Sequence, residues 1–329
     1  MQIPETPEKI EQLNLMQRLR AYAGGKASWR EKGRRPGEGE RRACAALHLG
    51  IVETVNKILG PLLDRVTSRE METFTLHDRV HGRKVAHLMW HILETRSRER
   101  LTPPEIGMLV FAAHLHDLGM GLSRSERQAR LEASSDLWDR LEVDPSVKQS
   151  LDVLRRTLKA KGAGARARQR AARQLVQAEE VLLCRDTRER HATKARYEEL
   201  VEEMRRFHNK SPSKIPNIDT VLSYDGDSFR ERLIDICVSH NEAADALVAP
   251  DAQNHQRPRF PGVFPVGGCN ADLQMVAAAL RLADILDFDR ERTPAVLFHY
   301  LLPTSGPEDS VSILEWDKHL AISNWHIDA

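Results

Sequence analysis

Leu109-Val110-Phe111-Ala112-Ala113-His114-Leu115-His116-Asp117-Leu118-Gly119 is an apolar run that ends in two adjacent ligating side chains. Just upstream, Thr102-Pro103-Pro104-Glu105 supplies an N-cap threonine, a proline at the first helical position and a glutamate at N3. That combination opens a helix, and Gly119 and Gly121 close it, so Ile106 to His116 is expected to be helical. A helix apolar all round belongs in a core. A carboxylate at its buried end is costly unless it is paired or bound to a cation. Imidazole beside carboxylate suits a divalent transition ion, although a hydrogen bond at a helix end would also account for one His-Asp pair.

Two distant segments carry the same signature. After Asp78, His81 falls in line with Val85, Leu88 and Ile92 at helical spacing, so a histidine shares the buried stripe. His87 and His91 project from the other face and are expected to meet solvent. In Leu273 to Asp287, the face through Leu273, Val276, Ala277 and Leu280 continues onto Asp284 and Asp287. Two acids on a core-facing stripe need a metal or basic partners. Arg281 sits beside them, and Arg290 and Arg292 offer the plainer alternative of a helix-end salt-bridge cluster.

The rest of the chain is read around these segments. Residues 6 to 22 form an amphipathic helix, and Gly24 to Gly39 a flexible charged linker. A one-sided helix runs through Leu47, Ile51, Val55, Ile58, Leu59 and Leu62. Residues 124 to 204 are charged, helical in period and without strand signals, and are expected to form an inserted helical arm. Within it Arg155, Arg156, Lys159, Lys161, Arg166, Arg168, Arg170 and Arg173 come without an intervening acid. Pro212, Pro216 and Tyr224 to Asp227 punctuate the chain before a helix over 228 to 246. A Pro- and Gly-rich loop follows, and Asn270 is expected to cap a helix reaching Phe288. Three short strands are expected within 295 to 325, so the chain is expected to be cut from something longer. The domain expectation is therefore 1–70, 71–123, 124–204 as an insert, 205–294, and a β-rich extension over 295–329. The fold class is all-α, a helical bundle with a long helical insertion and a few short C-terminal strands.

Composition excludes several function classes. At 329 residues, 41% hydrophobic and 29% charged, the chain has the balance of a helix-rich globular protein. A net charge of +1 gives no global attraction to nucleic acid, so any such affinity must be local. Cys44, Cys184, Cys237 and Cys269 form no CxxC pair and read as reduced thiols. No stretch approaches 18 apolar residues, so no membrane partner is expected and the cytoplasm is the default location.

Taken together, His81, His116-Asp117 and Asp284 resemble the HD superfamily of metal-dependent phosphohydrolases, whose pattern is a His, a later His-Asp pair and a distal Asp on a helical bundle. That resemblance implies metal ligation by His81, His116, Asp117 and Asp284, with His208 and His240 in positions where two-metal members place further ligands. The cofactor is one or two divalent ions among Mn, Fe, Co, Ni, Zn and Mg. Thr75-Leu76-His77-Asp78, His116 to Met120 and Asp284 to Pro294 are similar to a subgroup found beside chaperone-type GHKL ATPase domains.

The implied activity is hydrolysis of a nucleotide, cyclic nucleotide or nucleic-acid phosphoester by metal-activated water. His77, Arg83, His114 and Arg281 are the candidates for catalytic roles. Lys84, Arg205, Arg206, Lys210 and Asp287 are those for the substrate side. The alternative is a nucleotide-sensing module that gates a partner ATPase or effector in a bacterial defence or stress system. Partner classes are the nucleotide or nucleic-acid substrate, a nucleic-acid backbone on the basic run 155–173, a GHKL-type ATPase partner or missing domain, and a further copy of the chain.

Overall fold

The computed structural model of the chain describes residues 5–27, 35–65, 78–132, 145–160, 162, 164–251 and 258–287. His77 and the three strands expected within 295–325 lie outside the described residues. What is described is an all-α bundle with two small β-hairpins.

Its centre is α6 (Pro103–Leu115), every residue of which is buried, as expected of a helix apolar but for Glu105 and His114. As the Thr-Pro-Pro-Glu spacing predicts, the Glu105 side chain reaches back to the Thr102 N–H, while the Thr102 hydroxyl donates to the Asn270 carbonyl at 3.0 Å. Around α6 pack α1 (Asn14–Ala23), α2 (Glu38–Thr54), α4 (Arg79–Ile92), α12 (Arg230–Ser239) and α13 (Leu273–Leu286). The expected 6–22 helix is broken at Leu13, which has extended backbone, into a 3-10 turn (Ile10–Gln12) and α1. The helix through Leu47 to Leu62 continues as one rod, but a π-turn over Val55–Leu59 separates α2 from α3 (Gly60–Arg65).

α4 corrects one expectation. His87 and His91 are buried, with ring centroids 4.5 Å apart, because α1, α6 and α13 cover α4 on more than one side. The one-stripe reading of a helix fails for a helix in the middle of a bundle.

Beyond α6 come a 3-10 turn (Leu118–Met120), α5 (Thr95–Arg100) having preceded it, and then α7 (Arg124–Glu132). α8 (Pro145–Lys159) and α9 (Ala165–Arg190) form a hairpin around Leu151, Ala178 and Leu182. α10 (Lys194–Lys210) lies in the main core through Tyr197, Leu200, Val201 and Met204, and α11 (Ile218–Val221) packs on it. The segment expected as an insert thus passes into the core before residue 204.

Ser223–Tyr224 pairs with Asp227–Ser228, and Phe264–Val266 with Cys269–Ala271, both antiparallel. Asp225 and Gly226 turn the first hairpin with φ of 49° and 89°, the left-handed pair an Asp-Gly turn supplies. The helix expected over 228 to 246 stops at Ser239. Asn270 lies in a strand, so the cap of α13 is Asp272, whose side chain accepts from Met275 N.

A single carboxylate sets the register of α6 against α13. Glu105, buried in the first turn of α6, accepts from Thr102 N at 2.6 Å and from Asp272 N at 2.8 Å. Asp117 and Asp284 each lie twelve residues beyond these anchor points. At 1.5 Å per residue both are carried about 18 Å along side-by-side helices to the same level.

Candidate metal centre

At that level four side chains converge. His81 comes from the first turn of α4, His116 and Asp117 from the end of α6, and Asp284 from the last turn of α13, with their donor atoms within 4.8 Å of one another. His81 Nε2 and His116 Nε2 are 3.2 Å apart. Asp117 Oδ2 is 3.2 Å from the first and 3.1 Å from the second. Asp284 Oδ1 is 3.5 Å from His81 and 3.4 Å from His116. Donors bound to one ion at about 2.1 Å in tetrahedral array would stand about 3.4 Å apart. The donor set and its spacing therefore fit a divalent ion. His81, His116 and Asp117 are sealed, whereas the Asp284 side chain keeps 27% of its surface exposed.

The surrounding bonds aim these donors. His81 Nδ1 donates to Asp287 Oδ2 at 2.6 Å, which leaves its Nε2 lone pair facing the cluster. The Tyr197 hydroxyl donates to the carbonyl of His116. Burial alone would lower the pKa of His116, but Asp117 and Asp284 raise it well above the ordinary value. Burial would raise the pKa of Asp284, but the charge of His116 and hydrogen bonds from His116 and His81 hold it well below the carboxylate range. The cluster thus demands positive charge, a demand that a dication meets more fully than one imidazolium proton.

A second group adjoins it. His191, immediately after α9, and His240, immediately after α12, place their Nε2 atoms 3.2 Å apart. Each lies 3.7 Å from Asp117 Oδ1, the oxygen turned away from the first cluster. Their Nδ1 atoms donate to the carbonyls of Arg188 at 2.6 Å and Cys237 at 2.5 Å. Both Nε2 atoms therefore carry lone pairs, and these point at each other, an arrangement that calls for a cation between them. Burial lowers the pKa of His191, and takes His240 to about 4, so both are neutral imidazoles ready to ligate. Asp117, His191 and His240 make a second candidate metal group.

Sequence reading did not find His191. A signal existed: it is the one histidine between residues 124 and 205, and it continues the buried stripe of Cys184 and Thr187 at three- and four-residue spacing. What admits it is Gly119. A side-chain carbon there would stand 2.0 Å from the carbonyl oxygen of His191, so only glycine lets the end of α9 settle on the 3-10 turn after Asp117.

Other expected residues fall elsewhere. His208 bonds through Nδ1 to the Ile215 carbonyl at 2.7 Å and joins neither cluster. Tyr197, in the first turn of α10, touches His116; Arg205, Arg206, His208 and Lys210 follow eight to thirteen residues later, about 12 to 20 Å further along the helix. Arg205 is moreover clamped to both oxygens of Asp219, at 2.7 and 2.6 Å. That distance takes all four out of the immediate site.

Asp287 is buried and bonded to His81 Nδ1, so it orients the ring of a candidate metal ligand. One guanidinium nitrogen of Arg281 donates to the Ser239 carbonyl, bracing α13 against the turn that presents His240. Arg83 lines a cavity of about 370 Å³ with Lys9, Asn56 and Arg79, whose walls include none of the ligand candidates. His114 is buried in the core with Nδ1 on the Val110 carbonyl at 2.8 Å and its ring against Gly82, so it cannot reach a leaving group. Lys84 is half-buried on α4.

A helical bundle with a His, His-Asp, distal Asp cluster defines an HD-type domain. The chain belongs to the HD-CE family, which matches residues 71–329. No curated protein and no solved structure matches the chain. Among the described residues no single helix is long and apolar enough to cross a membrane.

Proposed function

We propose that this protein is a metal-dependent phosphohydrolase acting on a nucleotide, cyclic nucleotide or nucleic-acid phosphoester. The observation that carries the reading is the position of Asp117, with one carboxylate oxygen among His81, His116 and Asp284 and the other facing His191 and His240. One carboxylate between two ligand groups is the arrangement that sets two ions side by side.

On this reading His81, His116, Asp117 and Asp284 hold one divalent ion, and Asp117, His191 and His240 hold a second. A bound divalent ion supplies a water nucleophile acidic enough to react near neutral pH and neutralises charge on the phosphoryl oxygens. The protein's own part is orientation. Asp287 fixes the ring of His81, the Arg188 and Cys237 carbonyls fix the two neutral imidazoles, and the exposed side of Asp284 leaves the way in. The likeness of residues 75–78 and 284–294 to GHKL-associated HD domains supports a GHKL-type ATPase as partner.

The test is a panel of nucleotides, cyclic nucleotides and oligonucleotides with Mn, Mg, Co and Ni. Turnover abolished in the His116→Ala, Asp117→Ala double variant is expected. Absence of any turnover sensitive to those substitutions would sink the proposal. Thermal stabilisation by a nucleotide without turnover would transfer the reading to a sensor.

A further inference from the structure

The α8–α9 hairpin has a cationic outer half and an inner end that reaches the metal centre. Its two helices hold each other through Leu151, Ala178 and Leu182, and Arg155 pairs with Glu179 at 3.2 Å. Arg156, Lys159, Arg166, Arg168, Arg170 and Arg173 are exposed, and among the described residues none of these six enters an ion pair. So many uncompensated cations on one projection repel each other and attract a polyanion.

Their placement is directional. Leu175, Ala178 and Leu182 form the face of α9 turned to α8. Arg166, Arg170 and Arg173 recur at four- and three-residue steps on another face. Continuing those steps down the helix leads to Cys184, Thr187 and His191, all buried against the body. His191 follows Arg173 by eighteen residues, which is five whole turns. The arginine stripe and the metal-facing histidine therefore share one side of one helix, about 27 to 38 Å apart.

We infer that this stripe binds the phosphate backbone of a nucleic-acid duplex and lays it along the arm toward the metal centre. At about 3.4 Å per base pair, 27 to 38 Å corresponds to about 8 to 11 base pairs. A duplex fits better than a single strand, because residues 145–190 contain no Phe, Trp or Tyr on which unpaired bases would stack. An anionic membrane surface is the competing polyanion, and it is disfavoured because the hairpin pairs its cations with no aromatic or broad apolar face. The inference rests on the phosphohydrolase reading for its destination, and not for its binding step.

The experiment uses the full chain loaded with Mn and the triple variant Arg166→Gln, Arg170→Gln, Arg173→Gln. Binding of a fluorescent duplex of about 16 base pairs is followed by anisotropy from low to moderate salt, beside anionic phosphatidylserine vesicles. Turnover of bis(4-nitrophenyl) phosphate is followed in parallel. The expected result is at least about a tenfold loss of duplex affinity in the variant, with the log–log salt slope shallower by about 2 to 3. Small-diester turnover should be unchanged. Equal duplex affinity in parent and variant overturns the inference, as does arginine-dependent binding of vesicles with no binding of duplex. Arginine-dependent duplex binding with no hydrolysis of any substrate leaves the arm's role standing and removes the hydrolytic reading. Turnover of the small diester with no duplex binding does the reverse.

Discussion

The two halves of the candidate metal centre are built differently. The first cluster draws His81, His116, Asp117 and Asp284 from helices of the central core, where α6 and α13 start from one carboxylate and run side by side to the site. The second borrows His191 from the foot of a charged arm and His240 from the turn after α12. It shares only Asp117 with the first. One half is a product of core packing, and the other depends on a single close approach of an outlying element. The halves should therefore fail separately.

The largest effect belongs to the residue they share. Asp117→Ala removes a ligand from both groups, so metal content of the purified protein should fall from two ions to none and turnover to background. Retention of one tightly held ion would show that the carboxylate serves only one cluster.

Gly119→Ala should split the halves. Its added carbon would stand 2.0 Å from the His191 carbonyl oxygen, a clash with backbone that no side-chain rotation relieves. The end of α9 must lift, taking His191 with it. Metal content should drop from two to one, with a stability loss of about 3 kcal/mol read by denaturant unfolding. His191→Ala should lose the same ion with a smaller cost in stability. Loss of both ions in Gly119→Ala, with one kept in His191→Ala, would mean that the clash propagates into the first cluster.

The same difference explains what the sequence disclosed. His81, His116, Asp117 and Asp284 each sit at a break in an apolar helical stripe, so burial of a polar group is visible as an exception to a periodic pattern. Packing from several sides is not visible that way, and His87 and His91 on α4 were read as solvent-facing for that reason. His191 continues the three- and four-residue steps of Cys184 and Thr187, but Arg188, Arg190 and Lys194 flank it, and the contact at Gly119 that covers it joins elements far apart in the sequence. His208 had the right neighbours in sequence and the wrong place on α10, about 16 Å past the turn that touches His116. The fold class follows from periodicity; the small hairpins at Tyr224 to Asp227 and Phe264 to Ala271 appear only as turn residues in the sequence.

A third change acts within the first half alone. Asp287→Asn keeps shape but weakens the acceptor that holds His81 Nδ1–H, and loss of such a supporting bond costs about 10- to 100-fold in metal affinity. Competition with a chelator should show that loss for one ion and leave the other unchanged. Equal weakening of both would place Asp287 in the general packing of the site.

The smallest effect concerns the shared start of α6 and α13. Burial is the largest influence on Glu105 and pushes its pKa up to about 7, even though the Thr102 and Asp272 N–H groups favour the carboxylate. A folded-state pKa above the unfolded value of about 4.5 means that this group's contribution to stability is complete below pH 4.5 and is lost as pH rises through 7. The span is at most about 3 kcal/mol. Glu105→Gln, which cannot ionise, should flatten that part of the stability profile between pH 5 and 8 in denaturant titrations while keeping both ions. An unaltered profile in the variant would show that the carboxylate stays ionised throughout, its two backbone N–H donors outweighing its burial.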